Sequence, residues 1–384
     1  MLKVFLNHYN QKYFVGILKE YKHKIFFEYD KNFLKTGIEI SPFYLPLKAG
    51  VFEEKKGVFH GLFGVFNDSL PDGWGCLLLD KYLQKQGLSY NEISPLMRLS
   101  LTGKSGMGAL EYEPSQEYYN LYENINLDEL QYQSNLLLNE QDINDLEQLI
   151  TLNGSSGGAR PKIVCYISED KKKLINQYKT GYESWIIKFS SRFDPKNIGV
   201  HEYVYSLLAK EAGLIMPETY LFESTKNAGY FGVKRFDRTF DNQKIHIHTA
   251  AGLLHCDFRV PSLDYADLMK LTSILTKDKE QVKNMLRLMV FNIKSENKDD
   301  HAKNFSFLLD ENYQWKLTPA YDLTQLKRAE HFTTVNGKGK EITNNDIIQL
   351  AQNFDFSSKE TTEIIEQTEN ALSHYQTYMK QYEG

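Results

Sequence analysis

Asn297-Lys-Asp-Asp-His-Ala-Lys-Asn-Phe305 is the stretch on which the rest of the chain turns. Asp299 and Asn304 are separated by four residues, and a further carboxylate returns at Asp322, in Tyr321-Asp-Leu323. Between them lie two short apolar runs, Phe305–Leu309 and Trp315–Leu317, flanking Asp310-Glu-Asn312. Apolar runs around a polar turn predict a β-hairpin. The order is loop, hairpin, acidic loop, with one Asn and one Asp as hard oxygen donors. Magnesium takes few such donors from a protein and fills its other positions with water and phosphate.

Phosphoryl transfer uses this set of groups. One Asp accepts the proton of the acceptor hydroxyl, while an Asn and a second Asp hold magnesium against the triphosphate. The spacing matches the Asp-x-x-x-x-Asn of protein-kinase catalytic loops. Asp, Asn and Lys are also common in solvated loops, so the spacing has to be weighed with the rest of the chain.

With 384 residues, the chain suits two or three domains. A composition of 41% hydrophobic and 25% charged residues is that of a globular protein, and 25 Tyr with 23 Phe can fill several cores. The formal net charge of −5 argues against extended nucleic-acid contact, so any DNA connection is expected through a partner. No apolar run has the length of a membrane span, and the first residues turn polar too soon for a signal peptide. Cys76, Cys165 and Cys256 are far apart and form no Cys-x-x-Cys pair. They read as packing residues in a reducing cytoplasm.

Taken in order, Val4–Leu6, Tyr13–Leu18 and Ile25–Tyr29 predict an antiparallel β-meander. Asp72 is expected to cap a helix over Cys76–Gln86, with Leu77, Leu78 and Tyr82 on its apolar side and Trp74 as a packing residue. Thr102-Gly-Lys-Ser-Gly-Met-Gly108 is not a Walker loop, because Arg98 stands where its first Gly belongs. Residues 115–150 read as a linker and one amphipathic helix marked by Leu130, Leu136–Leu138, Leu146 and Leu149.

Asn153-Gly-Ser-Ser-Gly-Gly-Ala-Arg-Pro-Lys162 leads into a strand over Ile163–Ile167. Gly157 and Gly158 have no Cβ to block approach, so their amides could wrap phosphate oxygens. Lys188, near the end of a strand over Trp185–Phe189, is the kind of point charge that kinases aim at nucleotide phosphates. A helix over Gly199–Gly213 follows, with Glu202 on its polar face, expected in solvent rather than paired with Lys188. Strands over Thr219–Phe222 and Tyr230–Arg235 come next, the second leading into a hinge at Lys234, Arg235 and Phe236. Helices are expected over Tyr265–Leu275 and Asp278–Glu296, and through residues 341–384.

The order resembles that of the HipA family of toxin serine/threonine kinases. The resemblance rests on Asn-Asp-Ser-Leu-Pro-Asp-Gly-Trp-Gly (67–75), Gly-Ser-Ser-Gly-Gly-Ala-Arg-Pro-Lys (154–162), Lys-Arg-Phe-Asp-Arg (234–238), Asp-Asp-His-Ala-Lys-Asn-Phe-Ser (299–306) and Pro-Ala-Tyr-Asp-Leu (319–323). It implies an α+β, two-lobed protein-kinase-like fold with an amino-terminal β-rich subdomain. The expected divisions are residues 1–110 for that subdomain, 111–150 for linker and helix, 151–236 for the small lobe and 237–384 for a mainly helical large lobe.

The resemblance makes Asp299 the catalytic base and Asn304 and Asp322 the magnesium ligands. Gly157, Gly158, Ala159, Arg160, Pro161, Lys162 and Lys188 would hold phosphates. Lys234, Arg235, Phe236, His301, Lys303 and Tyr321 would complete the ATP site. Ser155 falls at the family's autophosphorylated position, with Ser156 beside it as the competing acceptor. The doubled Asp299-Asp300 leaves two carboxylates at the base position, of which the spacing to Asn304 selects Asp299. Implied partners are a HipB-like helix-turn-helix antitoxin, through which any DNA contact would run, and a protein substrate, with aminoacyl-tRNA synthetases among those known for the family. Two rival readings use the same residues: a non-catalytic pseudokinase in a repressor complex, and a phosphotransferase acting on a small molecule.

Overall fold

The computed structural model describes every residue of the chain except 90–91, 116–119, 144, 155–156, 193, 327 and 384. The chain divides into two compact units. The first comprises Met1–Gly199, Phe222–His248 and Gly252–His255, and the second Val200–Leu221, Thr249–Ala251 and Cys256–Gly384.

The first unit opens on the expected meander: β1 (Leu2–His8), β2 (Gln11–Tyr21) and β3 (Lys24–Tyr29). Alternation along β1 buries Leu2, Val4, Leu6 and His8 and turns the intervening residues outward, as a strand with one covered face requires. Two more strands extend the sheet, β4 (Val51–Glu53) beyond β3 and β5 (Leu110–Glu113) beyond β1, giving the antiparallel order β4-β3-β2-β1-β5.

A second antiparallel sheet is built from β6 (Lys162–Ser168), β7 (Leu174–Ile175), β8 (Tyr182–Lys188) and the strand Tyr230–Lys234. Ile163, Cys165, Ile167, Trp185 and Ile187 supply its covered face and pack with Trp74, Leu78, Leu149 and Leu152 into one core. Trp74 is therefore a packing residue, as its sequence position suggested.

Three expectations fail here. Residues 115–150 were expected to carry one helix, yet Leu127–Leu138 and Leu146–Asn153 are separate helices, each with its own side-chain cap, Asn126 and Asp145. No Pro or Gly stands between the two leucine-rich runs to mark the break, which hid it. Asp72 stands at the N-cap of the helix Gly73–Lys85, but its side chain does not cap it. Its carboxylate instead accepts the N–H of Gly158. Finally, Glu202 is buried, 4% exposed, rather than solvated.

Within the first unit the two sheets are held together by buried polar contacts. Gly108 N–H donates to Asp237 at 2.7 Å, and Asp237 takes both Arg235 (2.8 and 2.7 Å) and Arg238 (2.8 Å). Lys244 reaches Glu111 on β5 at 2.9 Å, and His248 lies between Asp68 (2.6 Å) and Ser41 (3.0 Å). Buried charges are tolerated when paired and hydrogen-bonded in this way.

The second unit is mainly helical. Tyr265–Thr276 packs on Lys279–Lys294, which also meets Ser358–Ser373. Asp278 caps Lys279–Lys294 by accepting Glu280 N–H at 2.9 Å, as its sequence position suggested. That helix buries Val282, Met285, Leu286, Met289 and Phe291 and delivers the loop 297–305 at its end. The expected hairpin follows, Ser306–Leu309 pairing antiparallel with Trp315–Leu317. Among the described residues no helix is long and apolar enough to cross a membrane.

Candidate active site

In the second unit the hairpin brings the two acidic loops together. Its strands run antiparallel, so the segment before Ser306 and the segment after Leu317 emerge at the same end. There Tyr321 Oη donates to Lys303 O at 2.6 Å and lies 2.5 Å from Ser306 Oγ. Asn297, buried, donates through Nδ2 to Asn292 Oδ1 at 2.9 Å and to Asp322 O at 3.4 Å. Asp322 has φ of +57°, a left-handed conformation that a non-glycine residue adopts at a cost and that Asp tolerates better than most.

The tight loop from Asp299 to Asn304 is closed by its own backbone. Asp299 O accepts His301 N–H (2.8 Å) and Asn304 Nδ2 (2.8 Å). With Nδ2 committed as donor, the oxygen that Asn304 can offer a cation is Oδ1. The Asp299 side chain is 39% exposed, with Arg328 Nη2 3.9 Å from Oδ1. Its neighbour Asp300 is fully buried and accepts four donors: Tyr265 Oη (2.8 Å), His331 Nδ1 (3.0 Å), Phe332 N–H (2.8 Å) and Thr333 N–H (3.4 Å). A carboxylate so saturated has no free position for a substrate proton, and of the doubled pair Asp299 is the exposed one.

His301 lies between aromatic rings, 5.3 Å from Phe258 and 5.9 Å from Phe332, and its Nδ1 is buried with no hydrogen-bond partner among the described residues. Lys303 Nζ sits 4.7 Å over Phe258. Among the described residues no three His, Cys, Asp or Glu side chains gather as a metal site. The donors here, one amide oxygen and one exposed carboxylate, are hard and few, which fits magnesium held largely by phosphate and water.

The first unit carries the glycine loop. Gly158 N–H is taken by Asp72, Gly158 O accepts Trp74 N–H at 3.1 Å, and Lys162 Nζ donates to Gly157 O. Gly73 permits this approach: a Cβ there would lie 2.6 Å from Ala159 Cα. Pro161 O accepts Phe189 N–H at 2.8 Å, and Arg160 pairs with Asp194 at 3.0 Å. Lys162 and Lys188 are direct partners in the β6–β8 pair and so share one face of the sheet. Lys188 Nζ lies 5.6 Å above the Phe231 ring.

At the expected hinge, Lys234 is bound to Glu183, and Arg235 N–H donates to Ser184 O at 2.9 Å. The Arg235 guanidinium is spent on Asp237, so any role of Arg235 toward a ligand would have to come from its main chain. Phe236 is half-buried. Ser155 and Ser156 lie outside the described residues.

Residues 2–113 match the HipA N-terminal domain, and residues 154–375, more than half of the chain, match the HipA-like C-terminal domain. The chain belongs to the HipA family. HipA of Shewanella oneidensis MR-1, solved with HipB and its operator DNA, is similar over 100% of this chain and 95% of its own, with a TM-score of 0.74 and 16% identity. At that identity the likeness is one of fold. A protein of Sinorhizobium fredii (strain NBRC 101917 / NGR234), named provisionally as the kinase Y4dM, is 27% identical over 153 residues. That match covers 36% of this HipA-family chain and 37% of the relative.

Sequence reasoning missed two contributors. Asp72 gave no sign of reaching Gly158, because 86 residues separate them. Asp300 looked like a second candidate base, and only its donors, at 265 and 331–333, identify it as structural.

Proposed function

We propose that this HipA-family chain is an ATP- and magnesium-dependent serine/threonine kinase that transfers the γ-phosphate to a cellular protein and arrests growth. The observation that carries the reading is the convergence, at one end of a hairpin, of a half-exposed carboxylate at Asp299 with two hard-oxygen side chains at Asn304 and Asp322. Family membership supports it.

In this mechanism Asp299 accepts the proton of the acceptor hydroxyl as it attacks, with Arg328 Nη2 3.9 Å from its Oδ1. Asn304 Oδ1 and Asp322 would hold magnesium, which supplies charge neutralisation at the phosphate oxygens when bound. Lys162 and Lys188 would offset phosphate charge, with the N–H groups of Gly157, Ala159 and Arg160 as donors, since Gly158 gives its N–H to Asp72 and Pro161 has none. The main chain at Lys234, Arg235 and Phe236 would take the adenine edge. His301, Lys303 and Tyr321 would complete the nucleotide site.

Ser155 is proposed as the autophosphorylation site, with Ser156 as the competing acceptor. The divisions proposed are residues 1–110, 111–150, 151–236 and 237–384. A HipB-like antitoxin is the proposed partner and the cytoplasm the proposed compartment.

Phosphatase-treated protein, incubated with labelled ATP and cell lysate, should label a discrete lysate protein identifiable by mass spectrometry. Peptide mapping of the kinase itself reports on Ser155. An unlabelled lysate with an unlabelled kinase would favour a pseudokinase; a labelled metabolite would favour a small-molecule phosphotransferase.

A further inference from the structure

The buried carboxylate of Asp300 sits one residue from the base, yet all four of its donors come from elsewhere in the second unit. Tyr265 begins a helix, and His331, Phe332 and Thr333 belong to the segment that follows the Asp322 loop. Thr333 Oγ1 also donates to Asp300 O. On its other side the same segment is pinned by a second carboxylate. Asp264 Oδ2 accepts Thr334 Oγ1 (2.6 Å) and Gly337 N–H (2.9 Å), and residues Leu263–Asp264 pair in parallel with Thr333–Thr334. Residues 331–334 are thus clamped between two acidic side chains.

This clamp has one face toward the chemistry. Phe332 packs edge-on against His301 at 5.9 Å, and Arg328 lies over the Phe332 ring at 4.4 Å while standing 3.9 Å from Asp299. A buried carboxylate that consumes two consecutive backbone amides fixes their position, because releasing either would leave a desolvated polar group unpaired. The segment is therefore held in place beside the base.

We propose that Asp300 and His331 are positioning residues that hold residues 331–334 as a platform for the acceptor segment of the protein substrate. The proposal rests on the kinase reading above. A surface already fixed beside the base lowers the ordering cost of binding the acceptor segment, so its loss shows in the peptide concentration needed.

The test uses the full chain with two acceptors, water (basal ATP hydrolysis) and a degenerate mixture of serine-containing peptides. His331→Leu should lower peptide phosphorylation by about tenfold or more, through a higher peptide concentration at half-maximal rate, and leave basal hydrolysis within about twofold of wild type. His331→Asn, whose Nδ2 can replace the ring donor, should restore most of the loss. If His331→Leu does not fold, Thr333→Val reads the same split. Equal losses toward both acceptors, or no loss toward either, would overturn the platform, as would a wild type that hydrolyses ATP but leaves every peptide unmodified. A wild type that neither binds nor hydrolyses ATP would instead remove the kinase reading, and the platform with it.

Discussion

Lys162 and Lys188 stand directly opposite one another on the adjacent antiparallel strands β6 and β8. Like charges in that relation destabilise a strand pair by an amount on the order of 0.2–1 kcal/mol. Together they concentrate positive charge on that face, which suits the phosphates of a nucleotide. Lys188→Met should therefore weaken ATP about tenfold or more, with or without magnesium. Calorimetric titration checks it. Unchanged ATP affinity would take Lys188 out of the phosphate site.

Asp299→Asn should leave fold and ATP affinity near those of the parent, because the isostere keeps the shape of the exposed side chain. Transfer should fall by about 10²–10⁴-fold, the range of a general base. The comparison that matters is Asp300→Asn, which should chiefly cost stability, since it disturbs a carboxylate holding four donors. Urea denaturation and single-turnover transfer separate the two. An Asp299→Asn protein with more than about a hundredth of wild-type transfer would exclude Asp299 as the base.

Much of this site was legible in the sequence because its parts are local. Asp299, Asn304 and the hairpin lie within 19 residues, and apolar alternation predicts Ser306–Leu309 and Trp315–Leu317 closely. The strand carrying Lys188 and the cap at Asp278 were readable for the same reason. The failures involve distant partners or a helix break that no Pro or Gly marks. Asp72 has a capping residue's position, but its carboxylate is claimed by Gly158. Glu202 lies on the polar side of its helix by spacing and is nonetheless buried. The leucines of 127–138 and 146–153 belong to two helices, and no Pro or Gly between them marks the break.

Asp322→Ala should remove the magnesium-dependent part of ATP affinity and spare the rest. The exposed carboxylate is held in its left-handed conformation by the loop, and its main-chain carbonyl remains available to Asn297 after substitution. Titrating ATP with magnesium and with chelator reads the effect. An equal loss under both conditions would place Asp322 outside the metal site.

Asp72→Asn removes a negative charge from beside Gly158 without removing a helix cap, since the side chain makes none. A polyphosphate approaching that loop meets less repulsion, so ATP affinity should rise severalfold, more at low salt than at high salt. A fall in affinity would mean that the carboxylate supports the loop's binding conformation rather than opposing the ligand.

Glu111 ties β5 to Lys244, and its titration provides a pH test of how the β-rich sheet is held. Burial alone would push its carboxyl up. The Lys244 charge, with hydrogen bonds from Lys244, Asn7 and Lys12, outweighs burial and brings it down from 4.5 to about 2. A carboxylate with a depressed folded pKa stabilises the fold fully above its unfolded pKa and loses that contribution as pH falls through the folded one. The window is therefore pH 4.5 down to about 2. At pH 7 Glu111→Gln should destabilise the first unit by on the order of 2 kcal/mol, partly because it takes the carboxylate from Lys244, a largely buried lysine that keeps only neutral acceptors such as the Lys104 carbonyl. Asp237, also depressed by its arginines, makes both proteins acid-labile, so the informative quantity is the difference between them. Urea midpoints at pH 7, 4.5 and 3 should show the wild-type advantage intact at pH 7 and shrinking toward pH 3. A constant difference across the series would mean that the carboxyl is not shifted and that β5 is held by packing alone.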